Sequence, residues 1–131
     1  MEGCSAVGAP CSQEEKAVEK GEVVMEDLGR IARYRRAAAK INYMALDDPR
    51  ISFASKVISQ GMAKPNEEGE GRIKRVIRYM KGEPGCEWNF VWQRRPTHLV
   101  GYSDSDWAGC PRTRRSTSGG GISMGGHLLT H

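Results

Sequence analysis

Long apolar stretches, aromatic residues and ordered cysteine patterns are scarce in this sequence of 131 residues. No apolar run approaches the roughly 20 residues that a membrane-spanning helix needs, and the N-terminus lacks the basic-then-apolar pattern of a signal peptide. The four cysteines show no CxxC spacing and no histidines at zinc-binding distance along the chain, which argues against a disulfide framework or a zinc motif. We therefore expect an intracellular protein, cytoplasmic or nuclear, that spans no membrane.

Charge is plentiful and unevenly distributed. Residues 1–28 carry seven acidic and two basic side chains, whereas residues 29–131 carry 18 basic and nine acidic side chains. A basic body is typical of proteins that bind nucleic acid, an anionic surface or an acidic partner, although a basic surface can also serve solubility alone. The first 28 residues show no sustained apolar period, so we predict an acidic, disordered leader there.

Apolar residues recur at three- and four-residue steps in three segments, which predicts amphipathic helices over roughly 30–46, 49–61 and 67–81. Asp48 and Pro49 form a helix-start signal for the second segment. Gly69 and Gly71 should each weaken the third helix by roughly 1 kcal/mol relative to alanine. The predicted buried faces consist of Ile31, Tyr34, Ala38, Ile41 and Ala45, of Ile51, Ala54, Val57, Ile58 and Met62, and of Ile73, Val76, Ile77 and Met80.

Basic residues lie beside the apolar faces of the first and third predicted helices. If those faces pack together, the basic side chains point outward and form a surface suited to phosphate groups. We predict that Arg72, Arg75 and Arg78 contact nucleic acid there. The full set comprises Arg30, Arg33, Arg36 and Lys40 on the first helix and Arg72, Lys74, Arg75, Arg78 and Lys81 on the third.

From residue 86 the apolar period changes to two. The stretches CEWNFVW and LVGYSD predict an antiparallel strand pair over about 86–92 and 98–104, and GGGISMGGHLLTH predicts at least one more strand. The sequence as a whole thus predicts an α+β fold, with three helices followed by a short meander. A sheet of two or three strands without a covering helix is marginally stable in water.

Asp104 and Asp106 lie two residues apart at the predicted end of the second strand. They share one face if the strand continues through Asp106. Two carboxylates on one side of a strand end are the minimum for a hard-cation site such as magnesium, and a capped turn is the other interpretation. Arg112, Arg114 and Arg115 follow closely in sequence.

Residues 99–129, LVGYSDSDWAGCPRTRRSTSGGGISMGGHLL, resemble the opening of the ribonuclease H domain in copia-type (Ty1/copia, pseudovirus) retrotransposon polyproteins. The upstream blocks YRRAAAKINYMAL, ISFASKVISQGMAKP and RIKRVIRYMKGEPG are similar to the helical C-terminal part of the reverse transcriptase in the same polyproteins. The resemblance covers about residues 30–131. It implies a helical reverse transcriptase part over 29–85, then a connecting strand and a truncated ribonuclease H-like part over 86–131.

In that family Asp104 matches the first aspartate of a carboxylate cluster that holds two magnesium ions, which would make it catalytic and a metal ligand. The resemblance implies that the intact polyprotein copies RNA into DNA and cleaves the RNA strand of RNA/DNA hybrids. Asp106 is either a second metal contact or the start of a turn, and Trp107 either packs under the sheet or stacks on a base.

The same resemblance suggests that Arg112, Arg114 and Arg115 contact hybrid phosphates, unless they form only a solvated connection. The other carboxylates of both active sites lie outside this sequence. We therefore expect a fragment that is catalytically incompetent by itself, with nucleic acid and the rest of the polyprotein as partners. The alternative is a non-enzymatic basic remnant that binds nucleic acid weakly and without sequence preference.

One departure from the family lies at the corner between the first two helices. The family usually has Asp-Arg-Pro-Asp there, whereas this chain reads Asp47, Asp48, Pro49, Arg50. The exchange keeps the capping aspartate and leaves open whether the corner retains a salt bridge.

Overall fold

The computed structural model describes residues 5–11, 25–109 and 114–131. The chain divides into two compact units, Met1–Cys86 and Glu87–His131. The first unit contains α1 (Leu28–Met44), a 3-10 helix (Pro49–Ile51), α2 (Ser52–Gln60) and α3 (Glu67–Gly82), and the second contains β1 (Leu99–Ser105), β2 (Ser118–Met124) and β3 (His127–Thr130). The predicted α+β architecture and its three helices are confirmed. Within the described ranges, no helix has the length and apolarity needed to cross a bilayer.

Side-chain caps begin α1, α3 and the 3-10 helix that leads into α2. The Asp27 carboxylate accepts the Gly29 N–H at 2.8 Å, and the Asn66 side chain accepts the Gly69 N–H at 2.7 Å. Asp48 accepts the Arg50 N–H at 3.0 Å at the start of the 3-10 helix, where Pro49 holds the first position as predicted. These acceptors satisfy backbone donors that a helix leaves unpaired at its N-terminus.

The core of the helical unit follows the predicted apolar faces, with one exchange. On α3 the buried side chains are Ile73, Val76 and Tyr79, whereas Ile77 is 36% exposed. At 3.6 residues per turn, Ile77 lies about 100° around the helix from the fully buried Val76, but Tyr79 lies only about 60° away on the other side. The inclusion of Ile77 in the buried face was wrong, because this face is centred on Val76. The buried cluster comprises Tyr34, Ala38, Ile41, Ile51, Ala54, Ile58, Ile73, Val76 and Tyr79.

Tyr34 brings a polar hydroxyl group into this core. Its hydroxyl donates to the Ile58 carbonyl at 2.7 Å, near the end of α2. A Cβ atom at Gly61 would lie 2.5 Å from the Tyr34 hydroxyl, and one at Gly69 would lie 2.9 Å from both the hydroxyl and the ring edge. The two glycines therefore make room for the phenol. Burial raises the pKa of the Tyr34 phenol, and the nearby positive charge of Arg72 opposes that shift.

The corner between α1 and α2 does retain a salt bridge. The Arg50 guanidinium folds back on Asp48, with Nε 2.9 Å and Nη2 2.8 Å from the two carboxylate oxygens. The same guanidinium donates to the Gly85 carbonyl and lies 5.8 Å from the centre of the Tyr79 ring. Arg50 thus joins the corner to the end of α3, and its hydrogen bond with Asp48 raises the pKa of the guanidinium.

The second unit is a three-stranded antiparallel sheet in the order β1-β2-β3. Leu99 lies opposite Met124 and Ser105 opposite Ser118, and an irregularity in the β2–β3 pairing falls between Ile122 and Ser123. None of the described residues in 87–131 is buried. The sheet accordingly has apolar side chains on its surface, among them Leu99, Tyr102, Ile122 and Met124.

The predicted strand over 86–92 was wrong. No residue of that stretch belongs to the sheet, and β2 is the partner of β1. The alternating aromatic residues instead make ring contacts, because Phe90 lies 5.1 Å from His127 and Trp88 lies 6.1 Å from His131, centre to centre. Trp92 is 87% exposed. A period of two therefore reflected ring contacts and exposure, not strand pairing.

Parts of the predicted leader contact the helical unit. Val7 and Cys11 pack against the core, and Met25 is buried, with its N–H donating to the Pro65 carbonyl at 2.9 Å. Residues 1–4 and 12–24 lie outside the described ranges. Disorder of the leader over 1–28 as a whole stays a prediction.

Candidate functional site

Asp104 is the next-to-last residue of β1. It is exposed and pairs across the sheet with Gly119, while its neighbour Ser103 pairs with Gly120. Because the opposing residues are glycines, no side chain of β2 stands directly beside the carboxylate in the cross-strand positions. The strand thus presents Asp104 openly, as a ligand or a substrate-contacting group requires.

Asp106 has a different environment. Its N–H donates to the Thr117 carbonyl at 2.9 Å, and its carboxylate accepts the Thr117 N–H in a very short hydrogen bond. The neighbouring Ala108 N–H donates to the Ser116 hydroxyl at 3.1 Å. Asp106 thereby closes the loop between β1 and β2, which matches the turn interpretation of this residue. A carboxylate oxygen that accepts a backbone N–H retains further lone pairs, so a metal contact by Asp106 stays a prediction.

The donor set at this strand end is small. Within residues 5–11, 25–109 and 114–131, no group of three or more His, Cys, Asp or Glu side chains is arranged to hold a metal ion. A magnesium ion can be held by one or two carboxylates together with waters and substrate phosphates, whereas a pair of ions bridging attacking and leaving oxygens needs more protein ligands. The described residues therefore do not fit a two-magnesium centre by themselves.

The loop after β1 carries the remaining predicted site residues of this unit. Arg114 and Arg115 are exposed, and Arg114 has a positive φ of 53°. Arg112 lies outside the described residues. Trp107 is 92% exposed, so its predicted packing under the sheet was wrong. The loop therefore exposes an aromatic ring and at least these two guanidinium groups near Asp104 in sequence.

On α3, Arg72 is paired within its own helix. Its Nη2 lies 2.6 Å from Glu68, one turn earlier, and only 23% of its side chain is exposed. The Nε atom of Arg72 is buried. Glu68 therefore partly neutralises the positive charge of Arg72, which we predicted to contact nucleic acid.

Arg75 and Arg78 hold residues 5–11. The Nε of Arg78 donates to the Ser5 carbonyl at 2.7 Å and its Nη2 to the Ser5 hydroxyl at 3.2 Å, while the Nε of Arg75 donates to the Ala9 carbonyl at 3.2 Å. These hydrogen bonds join residues that lie more than 60 positions apart in sequence. They could not be predicted from the sequence, because small residues in an irregular segment give no periodic signal.

Arg30, the first basic residue of α1, also pairs with acidic side chains. Its Nη2 lies 2.6 Å from Glu70 and its Nη1 lies 3.5 Å from Glu67, and Lys74 lies 3.4 Å from Glu70. The hydrogen bond from Arg30 holds the pKa of the Glu70 carboxyl below its usual range, although burial opposes this shift. Arg30 is therefore paired with the acidic first turn of α3. Arg33, Arg36 and Lys40 are exposed basic residues of α1.

Comparison with known proteins identifies relatives over most of the chain. The uncharacterised mitochondrial protein AtMg00810 of Arabidopsis thaliana is 32% identical over 97 residues, which are 74% of this chain and 40% of that protein. The retrovirus-related Pol polyprotein from transposon RE1 of the same plant is 36% identical over 97 residues, or 6% of the polyprotein. The uncharacterised mitochondrial protein AtMg00240 is 32% identical over 77 residues, which cover 68% of that protein. No protein-family model and no solved structure matches the chain.

These similarities define the family. The chain belongs to the same family as AtMg00240, 68% of which it covers, and its similarity to AtMg00810 and to the transposon Pol polyproteins supports a retrotransposon Pol-derived sequence. The matched region spans less than half of AtMg00810 and a small fraction of the RE1 polyprotein.

Proposed function

We propose that the chain corresponds to the junction of reverse transcriptase and ribonuclease H in a copia-type Pol polyprotein, and that it does not cleave RNA by itself. The helical unit would be the C-terminal part of the reverse transcriptase, and the sheet would be the opening of the ribonuclease H-like domain. The observation that carries the proposal is Asp104, an exposed carboxylate at the end of an antiparallel strand in a Pol-derived chain.

The geometry supports inactivity of the chain in isolation. Asp104 is open, but Asp106 is engaged by the Thr117 N–H, and no third ligand joins them among the described residues. Hydrolysis with two metal ions depends on several carboxylates that hold both ions at a fixed spacing. Magnesium, when bound in a complete domain, would supply Lewis acidity to the phosphate and an activated water, and Asp104 would act as one of its ligands.

The test uses an RNA/DNA hybrid and magnesium. The purified chain should produce no magnesium-dependent cleavage above the background of the buffer. A fusion to the segment that follows the matched region in the RE1 polyprotein should cleave the hybrid, and Asp104→Asn in that fusion should abolish cleavage. Glu87→Gln, which changes an exposed carboxylate of the same unit outside the sheet, should leave it unchanged. Equal activity of Asp104→Asn and Glu87→Gln would refute the role of Asp104.

A second candidate function is weak electrostatic binding of nucleic acid by the helical unit. Exposed basic side chains favour it, since Arg33 and Lys74 have 71% and 59% of their side chains exposed and Arg36 and Lys40 are also exposed. Binding of this kind has no sequence preference and weakens steeply with salt, because phosphate contacts release counterions. Arg75 and Arg78 lie on α3, as Lys74 does, and would add to this surface.

Fluorescence anisotropy with hybrid and duplex probes tests this function. We expect binding of about micromolar strength or weaker, equal for unrelated sequences, with a steep loss between 50 and 200 mM salt on the scale typical of phosphate contacts. Arg36→Glu with Lys40→Glu should weaken binding and flatten the salt dependence, whereas Asp104→Asn should leave both unchanged. Binding that is insensitive to salt would overturn the electrostatic interpretation.

A further inference from the structure

Residues 5–11 occupy part of the basic side of α3. The segment donates no charge to the contact; instead, its backbone carbonyls at Ser5 and Ala9 accept from Arg78 and Arg75 at 2.7 and 3.2 Å. Val7 and Cys11 anchor it by packing against the core. The guanidinium N–H groups that face the segment are the groups that would otherwise meet a phosphate.

Gly82 allows the segment to lie this close to the helix. A Cβ atom at Gly82 would be 2.7 Å from the Cβ of Ala6, a distance that packed carbon atoms do not reach. A Cβ atom at Gly71, on the same helix, would meet nothing within 4 Å. The two glycines thus differ in one respect that matters here, because only Gly82 faces residues 5–11.

A phosphate backbone and residues 5–11 compete for the same two side chains. Charge-assisted hydrogen bonds to a phosphate are stronger than those to a neutral carbonyl, but the intramolecular segment has a high effective concentration because it belongs to the same chain. This high effective concentration favours the docked segment over a weakly bound nucleic acid.

We propose that residues 5–11 act as an intramolecular competitor that restricts access of nucleic acid to Arg75 and Arg78. The inference rests on the nucleic-acid binding proposed above. Binding of a hybrid to the basic side of α3 then requires release of the segment, and any change that displaces the segment strengthens binding. If the released state is populated below about 20%, displacement tightens the apparent affinity by about fivefold or more.

Gly82→Leu tests the proposal, with Gly71→Leu as the matched control. Both variants replace an exposed glycine of α3 by the same uncharged side chain, at an interior position for Gly71 and at the last helical residue for Gly82. Docking is followed by the amide chemical shifts of residues 5–11, compared with those of a peptide of the same sequence. Affinity for an RNA/DNA hybrid is followed by fluorescence anisotropy over a series of salt concentrations.

We expect Gly82→Leu to shift these amides to the values of the peptide and to tighten hybrid binding about fivefold or more at each salt concentration. The logarithmic salt slope should stay the same, because the bound complex makes the same phosphate contacts in both proteins. Gly71→Leu should change neither docking nor affinity. Arg75→Gln with Arg78→Gln should remove the gain in the Gly82→Leu background.

Two results would overturn the competition. In the first, the amides already match the peptide in the unmodified chain; in the second, Gly82→Leu releases the segment without tightening hybrid binding. Either result leaves the proposed nucleic-acid binding standing. If no variant binds the hybrid although Gly82→Leu releases the segment, then the proposed binding function itself is wrong, and the competition fails with it.

Discussion

Gly69 and Gly71 provide a sharp test of the packing around Tyr34. Helix propensity treats them alike, since each should stabilise α3 by about 1 kcal/mol when replaced by alanine. The structure separates them, because a methyl group at Gly69 would lie 2.9 Å from the Tyr34 ring and hydroxyl, whereas one at Gly71 would meet nothing within 4 Å. Overpacking of this kind costs about 1–3 kcal/mol.

We therefore expect Gly71→Ala to raise the free energy of unfolding by about 0.5–1 kcal/mol. Gly69→Ala should combine the same propensity gain with the overpacking cost, and so lower the free energy of unfolding by about 0–2.5 kcal/mol. Urea denaturation followed by far-UV circular dichroism measures both values. In a Tyr34→Ala background the ring is gone, and Gly69→Ala should become stabilising relative to that background. Equal stabilisation by the two alanines in the unmodified chain would refute the role assigned to Tyr34.

Three further predictions concern individual side chains of the helical unit. Tyr34→Phe removes the buried hydrogen-bond donor to the Ile58 carbonyl and should lower the free energy of unfolding by about 0.5–1.5 kcal/mol in urea denaturation. Burial raises the pKa of the Tyr34 phenol, so the unmodified chain should lose stability relative to Tyr34→Phe as the pH rises above about 10. Glu70→Gln should destabilise the fold at pH 7, and the difference should shrink as the pH falls below about 4.3, because the bond from Arg30 lowers the pKa of Glu70 and this contribution is lost on protonation. Arg50→Lys should lower the urea midpoint more than Arg33→Lys does, because Arg50 makes a two-pronged salt bridge with Asp48, whereas Arg33 has a single contact of 4.0 Å with Asp27.

The helical unit could be predicted well because its signals are local. The 3.6-residue period located all three helices, and Asp48 with Pro49 located the start of the second. The period alone did not separate Ile77 from Tyr79, since the centre of a buried face depends on what packs against it. Likewise, helix propensity predicts that Gly69 destabilises α3, but it does not show why a glycine is needed there. That reason is the Tyr34 ring, which a Cβ atom at Gly69 would approach to 2.9 Å.

The sheet and the candidate site depended more on contacts between distant residues. The alternation over 86–92 resembled a strand, but its rings contact His127 and His131 instead. The sequence allowed two interpretations of Asp106, a metal contact or a turn after the strand. β1 ends at Ser105, and the hydrogen bonds between Asp106 and Thr117 match the turn. The docking of residues 5–11 on Arg75 and Arg78 could not be predicted, because it depends on long-range complementarity and on the missing side chain at Gly82.

One experiment tests the central claim most directly, namely that this Pol-derived chain presents Asp104 at a strand end without a complete two-metal centre. The purified chain is incubated with a labelled RNA/DNA hybrid and magnesium, while binding and cleavage are measured on the same sample. The account predicts salt-sensitive binding with no magnesium-dependent cleavage. Robust cleavage that Asp104→Asn abolishes would contradict it, since it would mean that this chain alone assembles a working catalytic centre.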